Sequence, residues 1–468
     1  MKNLIRFIVG ISFVCNLASA GIYISVTGAN VKRPKIAVGK IHPLPGYQGI
    51  DAKLTKDVSE ELRSDLEFAN IFEFLPDNAF ADLDQAKDLH QMKYEDWTDK
   101  GVSFVLKMGY KLEGDKLILE GLLYDIPGQK KIFGTRYQYA SKQYWRLVHT
   151  IAEDIMKELV GEKGLFLSRI AMACKDKNGR REAKEILLMN PDGRGNLPVT
   201  ADGTISLSPS WAPDGKALLY TQYTTLKGSV KKGIVLKRHI LGSGDRKTLS
   251  AREGVNSGGA WNPKKNQVAL TLSFNGKSEI YLISPTGESE PEPFSRNIQV
   301  KRIGGEGFQP SYSSLLLDVE PNWSPDGAKL VFSSARSGNP MIYTVDVGTK
   351  IATQLTFAGK YNATPAWSPK GDKIIFAAQR IAEGNFDLYI IDPDGNNLNR
   401  LTSGDRAGRR KVNSEKPSWA PTGRHFAFSS NDDGTYAIYL MSTDGLQKRR
   451  ISPKGMDCRD PAWSPPEA

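Results

Sequence analysis

The residues that could do chemistry in this chain are few, and their spacing works against it. Gly276-Lys277-Ser278 has the tail of a phosphate-binding loop, where backbone N–H groups and a lysine cradle an anion, but Thr271 stands where the first glycine is needed. Asp392, Asp394 and Asn396 alternate like the oxygen ligands of a calcium loop, yet the glycine falls at the fourth position instead of the sixth. Both segments read as turns. The histidines, His42, His90, His149, His239 and His425, show no metal-ligand spacing; His149 reads as a residue that packs domains together. There is no Gly-x-Ser-x-Gly nucleophile elbow. The expectation is a protein without catalytic residues, cofactor or metal.

Composition sets the frame for that expectation. The 468 residues are 40% hydrophobic and 25% charged, which is ordinary for a folded chain. Residues 1–20 read as a cleaved signal peptide: Lys2 and Arg6, an apolar run from Phe7 to Leu17, then Ala18-Ser19-Ala20 as a small-x-small cleavage site. No later stretch is as apolar, so an exported, soluble protein is expected. Cys15 lies inside the leader, and the residues before it, Ser12-Phe13-Val14, do not suit lipidation. The net charge is +11, and loss of two positive charges, Lys2 and Arg6, leaves +9. A basic surface would suit acidic partners, but export argues against nucleic acid, and solubility of a large surface explains the charge equally well.

What the chain does contain is a repeat. Trp211, Trp261, Trp323, Trp367, Trp419 and Trp463 each stand in a Trp-x-Pro motif, at spacings of 50, 62, 44, 52 and 44 residues, and they account for six of the eight tryptophans. Most are followed by turn chemistry such as Ser324-Pro325-Asp326-Gly327, in which proline presets one turn dihedral and Asp-Gly tolerates the rest. Short β-rich runs come next, such as Leu330-Val331-Phe332, then Ile342-Tyr343-Thr344, then Gln354-Leu355-Thr356. Four strands per repeat is the pattern of propeller blades, with the tryptophan packing between neighbours. Residues 165–200 supply second, third and fourth strands without a first, and the last motif, at Trp463, is a first strand with no successors. Joining the two gives six blades and a closed ring over residues 164–468. In that closure Cys458, five residues before Trp463, lies opposite Cys174, so a Cys174–Cys458 disulfide is expected, the alternative being two buried free thiols.

Residues 21–163 carry no repeat. A strand at Lys35–Val38, an amphipathic helix over 54–68 and strands around Phe104, from Lys116 and from Lys131 read in order. A closing helix follows, marked by Trp145, Val148, Ala152, Ile155 and Leu159. The whole is a small α/β domain joined to the propeller by a hinge at Gly161–Gly164.

The combination of a leader, ISVTGANVKRPKIAV from Ile24, a segment around Trp97, Arg146…His149…LVGEKG at 159–164, and six Trp-x-Pro blades resembles the TolB family, the periplasmic propellers of the Tol–Pal system. The resemblance implies a non-catalytic protein-interaction hub in the periplasm. It would bind a Pal-like peptidoglycan-associated lipoprotein at the mouth of the channel and the TolA/TolQ/TolR-type inner-membrane machine through the N-terminal region, with 21–33 as a partner-binding arm. The work implied is support of outer-membrane integrity and cell division. A monomer is expected. The loops that enter the tryptophan strands should share one end of the channel. The mouth is therefore read as the residues three before each tryptophan, Ser208, Gly258, Glu320, Thr364, Lys416 and Asp460, with Asn256, Ser257 and Asn362 beside them. A long loop at 297–319, containing Gly304-Gly305-Glu306-Gly307, should overhang that mouth. A secreted propeller hydrolase or lactonase, or a carbohydrate-binding propeller, is the alternative; only Glu320 and Asp460 point toward reacting groups.

Overall fold

The computed structural model describes residues 33–466 except 50, 82, 84–88, 177–181, 226–231, 302–307, 311–316, 381–383 and 405–410. The leader, the arm up to residue 32 and Gly304–Gly307 therefore lie outside the described residues. Two units are built against each other: an α/β domain and a six-bladed propeller.

The α/β domain is a five-stranded sheet with helices α1 (Ala52–Ala69), α2 (Tyr94–Thr98) and α3 (Tyr144–Val160). Its strands are β1 (Lys35–Pro43), β2 (Glu73–Phe74), β3 (Phe104–Glu113), β4 (Lys116–Asp125) and β5 (Lys130–Ala140), in the order β2-β1-β3-β4-β5. Helix α1 starts at Asp51, whose carboxylate accepts the Leu54 N–H, and stops at Asn70, which adopts a left-handed conformation without the β-branch that would forbid it. Val58, Leu62 and Leu66 of α1 and Val148, Ile151, Ala152 and Ile155 of α3 are fully buried. Their helical spacing puts them on one face each, and these faces close over the sheet. The short β2 and α2 were not legible in the sequence, since neither is long enough to show a period.

Each blade is an antiparallel four-stranded sheet in chain order, with the tryptophan strand first. The sixth blade takes its first strand, Met456–Trp463, from the end of the chain and the other three, Ile170–Asp176, Glu185–Met189 and Leu197–Pro198, from residues just after the α/β domain. Cys458 pairs with Cys174 across this junction, and the two are joined by a disulfide with Cα atoms 4.1 Å apart. Closure by chain ends removes the exposed sheet edge that an open fan would leave.

The blades pack through small-to-large complementarity. Every tryptophan sits against the preceding blade: Trp323 on Ala260, Ala269 and Ile280, Trp419 on Ala366, Ile375 and Ala377, Trp463 on Ala420, Ala427 and Ile438. Most indole N–H groups are used as well. Trp211, Trp323 and Trp419 donate to the carbonyls of Ala462, Ala260 and Ala366 on the previous blade at 2.9, 3.0 and 2.9 Å. Trp463 donates to Ser168 Oγ at 2.6 Å, whereas the buried Trp261 N–H has no protein acceptor among the described residues.

The long segment before Trp323 departs from expectation. Gln299–Lys301 and Phe308–Pro310 form a hairpin, and Gln299–Lys301 pairs in parallel with Ile351–Gln354, the outermost strand of the third blade. The described part of this loop therefore extends the blade outward to six strands. The described part lies at the rim of the disc, not over the channel, because it pairs with the outer edge of the fourth strand, whose backbone groups would otherwise lack a strand partner.

The Gly161–Gly164 junction, read as a hinge, is clamped. Gly161 ends α3 with φ 70° and donates to Lys157 O. The buried Glu153 carboxylate then accepts N–H bonds from Gly164, Phe166 and Leu167 at 2.8, 2.5 and 3.2 Å. Glu162 pairs with Lys370 and Arg424 of the propeller at 2.6 and 2.7 Å.

Candidate functional site: the propeller channel

The six positions three residues before the tryptophans share one unusual property. Ser208, Gly258, Glu320, Thr364, Lys416 and Asp460 all have positive φ, between 50° and 66°. For five of them this is a strained conformation. The cause is a bulge: in every blade the pairing of first and second strands slips around this residue, as between Val319 and Asn322 or Glu415 and Ser418.

The bulge changes which residues face the channel. In a regular strand the residues three and five before the tryptophan would share a face. Here the first set lines the channel cavity, and the second set turns into the blade. Asn256 and Asn362 are 0% and 1% exposed. Asn256 binds Ser250 Oγ and Arg252 O, and Asn362 binds Thr356 Oγ1 and Ala358 O. Both organise the loops of their own blades and are absent from the mouth, contrary to the sequence reading. Ser257 is half-buried and does not line the cavity. The same interior position holds Asp318, bonded to Ser334 at 2.5 Å, and Cys458, bonded to Cys174. The disulfide thus replaces the polar cross-strand pair that the third blade uses.

The ring itself is a hydrogen-bonded network. Lys416 Nζ donates to Glu320 Oε1 at 2.7 Å, and the Thr364 N–H donates to Glu320 Oε2 at 2.7 Å. The Ser208 N–H and hydroxyl both donate to Asp460 Oδ2, at 3.0 and 3.1 Å. Although burial opposes its charge, the Glu320 and Asp460 carboxylates raise the Lys416 pKa, so it is a fixed cation. Glu320 and Asp460, the two carboxylates a hydrolase would need, are therefore committed to holding ring neighbours. Beyond the ring the cavity, about 960 Å³, is walled by the six Trp-x-Pro turns. Lys157, Gly161 and Lys163 reach it from α3 and the linker. So the ring lies inside the lumen, on a cavity that extends toward the Trp-x-Pro side of the disc. The sequence reading had placed it at the end where the entering loops gather.

The candidate motifs set aside in the sequence are turns. Gly276 donates to Ser273 O at 2.9 Å in the hairpin between Val268–Leu272 and Glu279–Ile283. Asp392 is held by Lys373 and Asn397, and Asp394 caps Asn396.

A second polar cluster joins the two units around His149, the residue the sequence marks as domain-packing, with partners that no spacing records. His149 of α3 bonds Asp65 of α1 through Nδ1 at 2.6 Å and Asp192 of the sixth blade through Nε2 at 2.9 Å. Arg194 bridges Asp192 and Glu61 at 2.9 and 2.6 Å. Burial works against a charged imidazole, but the bonds to Asp192 and Asp65 outweigh it and the His149 pKa is raised to about 9. Burial pushes the Asp65 carboxyl up; burial acts the same way on Asp192, but its bonds to His149 and Arg194 win and hold it down. Glu61, His149 and Asp192 have ligand atoms within 4.8 Å of one another, yet each carboxylate of the cluster, Glu61, Asp65 and Asp192, is already paired with His149 or Arg194, so the cluster is an ion-pair seam. His425, by contrast, is buried against Phe68 and donates Nε2–H to its carbonyl at 2.6 Å; burial lowers its pKa to about 3.

The architecture defines a class: six-bladed, ring-closed β-propellers that carry an N-terminal α/β domain. Residues 156–467 match the family model for the TolB beta propeller domain, and residues 22–132 match that for the TolB amino-terminal domain. A protein TolB homolog from Chlorobium luteolum is 30% identical over 98% of this chain and 97% of its own length. The Tol-Pal system protein TolB of Bordetella pertussis is 26% identical over 80% of the chain and 78% of its own length. The crystal structure of TolB from Acinetobacter baumannii superposes with a TM-score of 0.73 at 23% identity, covering 93% of this chain and 97% of that one. The chain belongs to the TolB family, whose members are non-catalytic proteins of the Tol–Pal system. Among the described residues no helix is long and apolar enough to cross a membrane.

Proposed function

We propose that this protein is a periplasmic interaction hub of the Tol–Pal envelope machine. Its propeller channel receives a Pal-like peptidoglycan-associated lipoprotein, and its N-terminal region, with the arm 21–33, engages TolA-type partners of the inner membrane. The observation that carries the reading is the ring of Ser208, Glu320, Thr364, Lys416 and Asp460, presented on a cavity of about 960 Å³ with fixed donors and acceptors. A ring locked by bulges and proline-rich turns loses little conformational freedom when a partner docks, which is where a rigid platform gains affinity. Removal of residues 1–20 places the chain in the periplasm as a monomer with units 21–163 and 164–468. Coupling of the two partners supports outer-membrane integrity and division.

Cross-linked pull-down from cell envelopes tests this. Wild-type protein should recover an outer-membrane lipoprotein, and the Glu320→Gln, Lys416→Gln double variant, folded by its melting curve, should recover about tenfold less. Equal recovery by the variant would remove the channel as the docking site. Turnover of lactone or glycan substrates by the purified chain would instead favour a propeller hydrolase.

A further inference from the structure

We propose that a cleft at the seam between the two units binds a small amphiphilic carboxylate. The cleft, about 400 Å³, is bounded by the end of β5, the start of α3, the linker and the sixth blade, and it shares no lining residue with the channel. Its volume is at the small end of ligand pockets. The floor is apolar: Leu147, Phe166, Leu188 and Met189 are all buried. Tyr139 and Leu197 stand at the rim, 38% and 54% exposed.

The polar group that points to the ligand is Arg146. Its Cζ lies 5.5 Å from the Tyr139 ring centroid and 5.3 Å from that of Trp145, and Nη1 donates to Tyr139 Oη at 3.2 Å. Two aromatic faces thus hold the guanidinium in place. A guanidinium has five N–H donors in a planar fork that matches a carboxylate. Among the described residues Arg146 forms no ion pair, and no acidic side chain lines the cleft, although Arg169 and the Asn190 amide do. Arg194 of the neighbouring seam, by contrast, is neutralised in place by Asp192 and Glu61. The Arg146 charge, without a balancing carboxylate among the described residues and set over an apolar floor, is complementary to an anion with a hydrocarbon body. Such a ligand would touch α3 and the sixth blade together, at a different place from any partner in the channel.

Calorimetric titration of the purified chain with octanoate tests the proposal, with acetate and 1-octanol as arms for the headgroup and the chain alone. Octanoate should bind one to one, and each control should bind at least about tenfold more weakly. Arg146→Gln should weaken octanoate by about tenfold or more, and Arg146→Lys should fall between, because an ammonium lacks the fork. Arg146 is exposed, so these variants should melt like the parent. In a 15N spectrum the Trp145 indole signal, identified by its loss in Trp145→Phe, should be the tryptophan resonance that moves. Absence of octanoate binding at ~10 mM, equal binding of 1-octanol, or binding unchanged in Arg146→Gln would each overturn it.

Discussion

His149→Gln should destabilise the protein strongly at pH 6 and much less at pH 10. In the native seam the imidazole is charged, since its pKa is raised from 6.5 to about 9 by Asp192 and Asp65 against the pull of burial. A base with a raised native pKa stabilises the fold fully below its unfolded value near 6.5, and that contribution drains away as pH rises through 9. At about 1.4 kcal/mol for each tenfold of proton affinity, the rise is worth about 3 kcal/mol. The side chain is only 2% exposed, so solvent screening takes little from this figure. Glutamine keeps a hydrogen bond to one neighbour and leaves Asp65 and Asp192 without their shared cation. Urea unfolding of wild type and variant at pH 6 and pH 10 should therefore show a gap about 3 kcal/mol larger at pH 6. A gap of equal size at both pH values would refute the charged seam and reduce His149 to a packing residue.

Other substitutions test other parts of the structure. His425, buried neutral with its pKa lowered to about 3, works in the opposite sense: native stability should fall as pH drops below 6.5, and His425→Gln should flatten that acid limb in the same urea series. Trp419→Phe should cost about 1 kcal/mol more than Trp261→Phe, because Trp419 loses its bond to Ala366 O while Trp261 has none to lose among the described residues; thermal melts decide it. The Cys174–Cys458 bridge spans a separation of 284 residues, for which loop-closure entropy gives about 6 kcal/mol. The Cys174→Ala, Cys458→Ala double variant should lose a substantial part of that, and unchanged urea midpoints would argue against it. Glu153→Gln removes the charge that accepts three linker N–H groups and should cost about 2 kcal/mol, with proteolysis near residues 161–167 as the sensitive readout.

The blades were legible because their chemistry is local. A Trp-x-Pro strand, a Pro-Asp-Gly turn and an alternating run repeat often enough that six units stand out, and the unmatched first strand at Trp463 discloses how the ring shuts. The cysteines followed from that register, since Cys458 and Ser334-like positions can be counted from the tryptophans. The channel site was half legible. The ring positions could be counted in the same way, but Asn256 and Asn362, read as their neighbours at the mouth, are turned into the blade by the bulge at the positive-φ residue. Ser208, Glu320, Thr364, Lys416 and Asp460 are not residues that announce such a conformation; only glycine at 258 does.

What the sequence determined alone is therefore the number of blades, their closure and the α/β character of the first unit, all set by short-range periodicity and turn residues. The tertiary structure decided the rest: the seam of Asp65, His149 and Asp192, the clamp of Glu153 on the linker, the outward turn of the 299–310 hairpin and the Lys416–Glu320 link across the ring. These contacts join residues from 11 to 96 positions apart. Their energies depend on burial and on which charges meet in space, and no spacing along the chain records either.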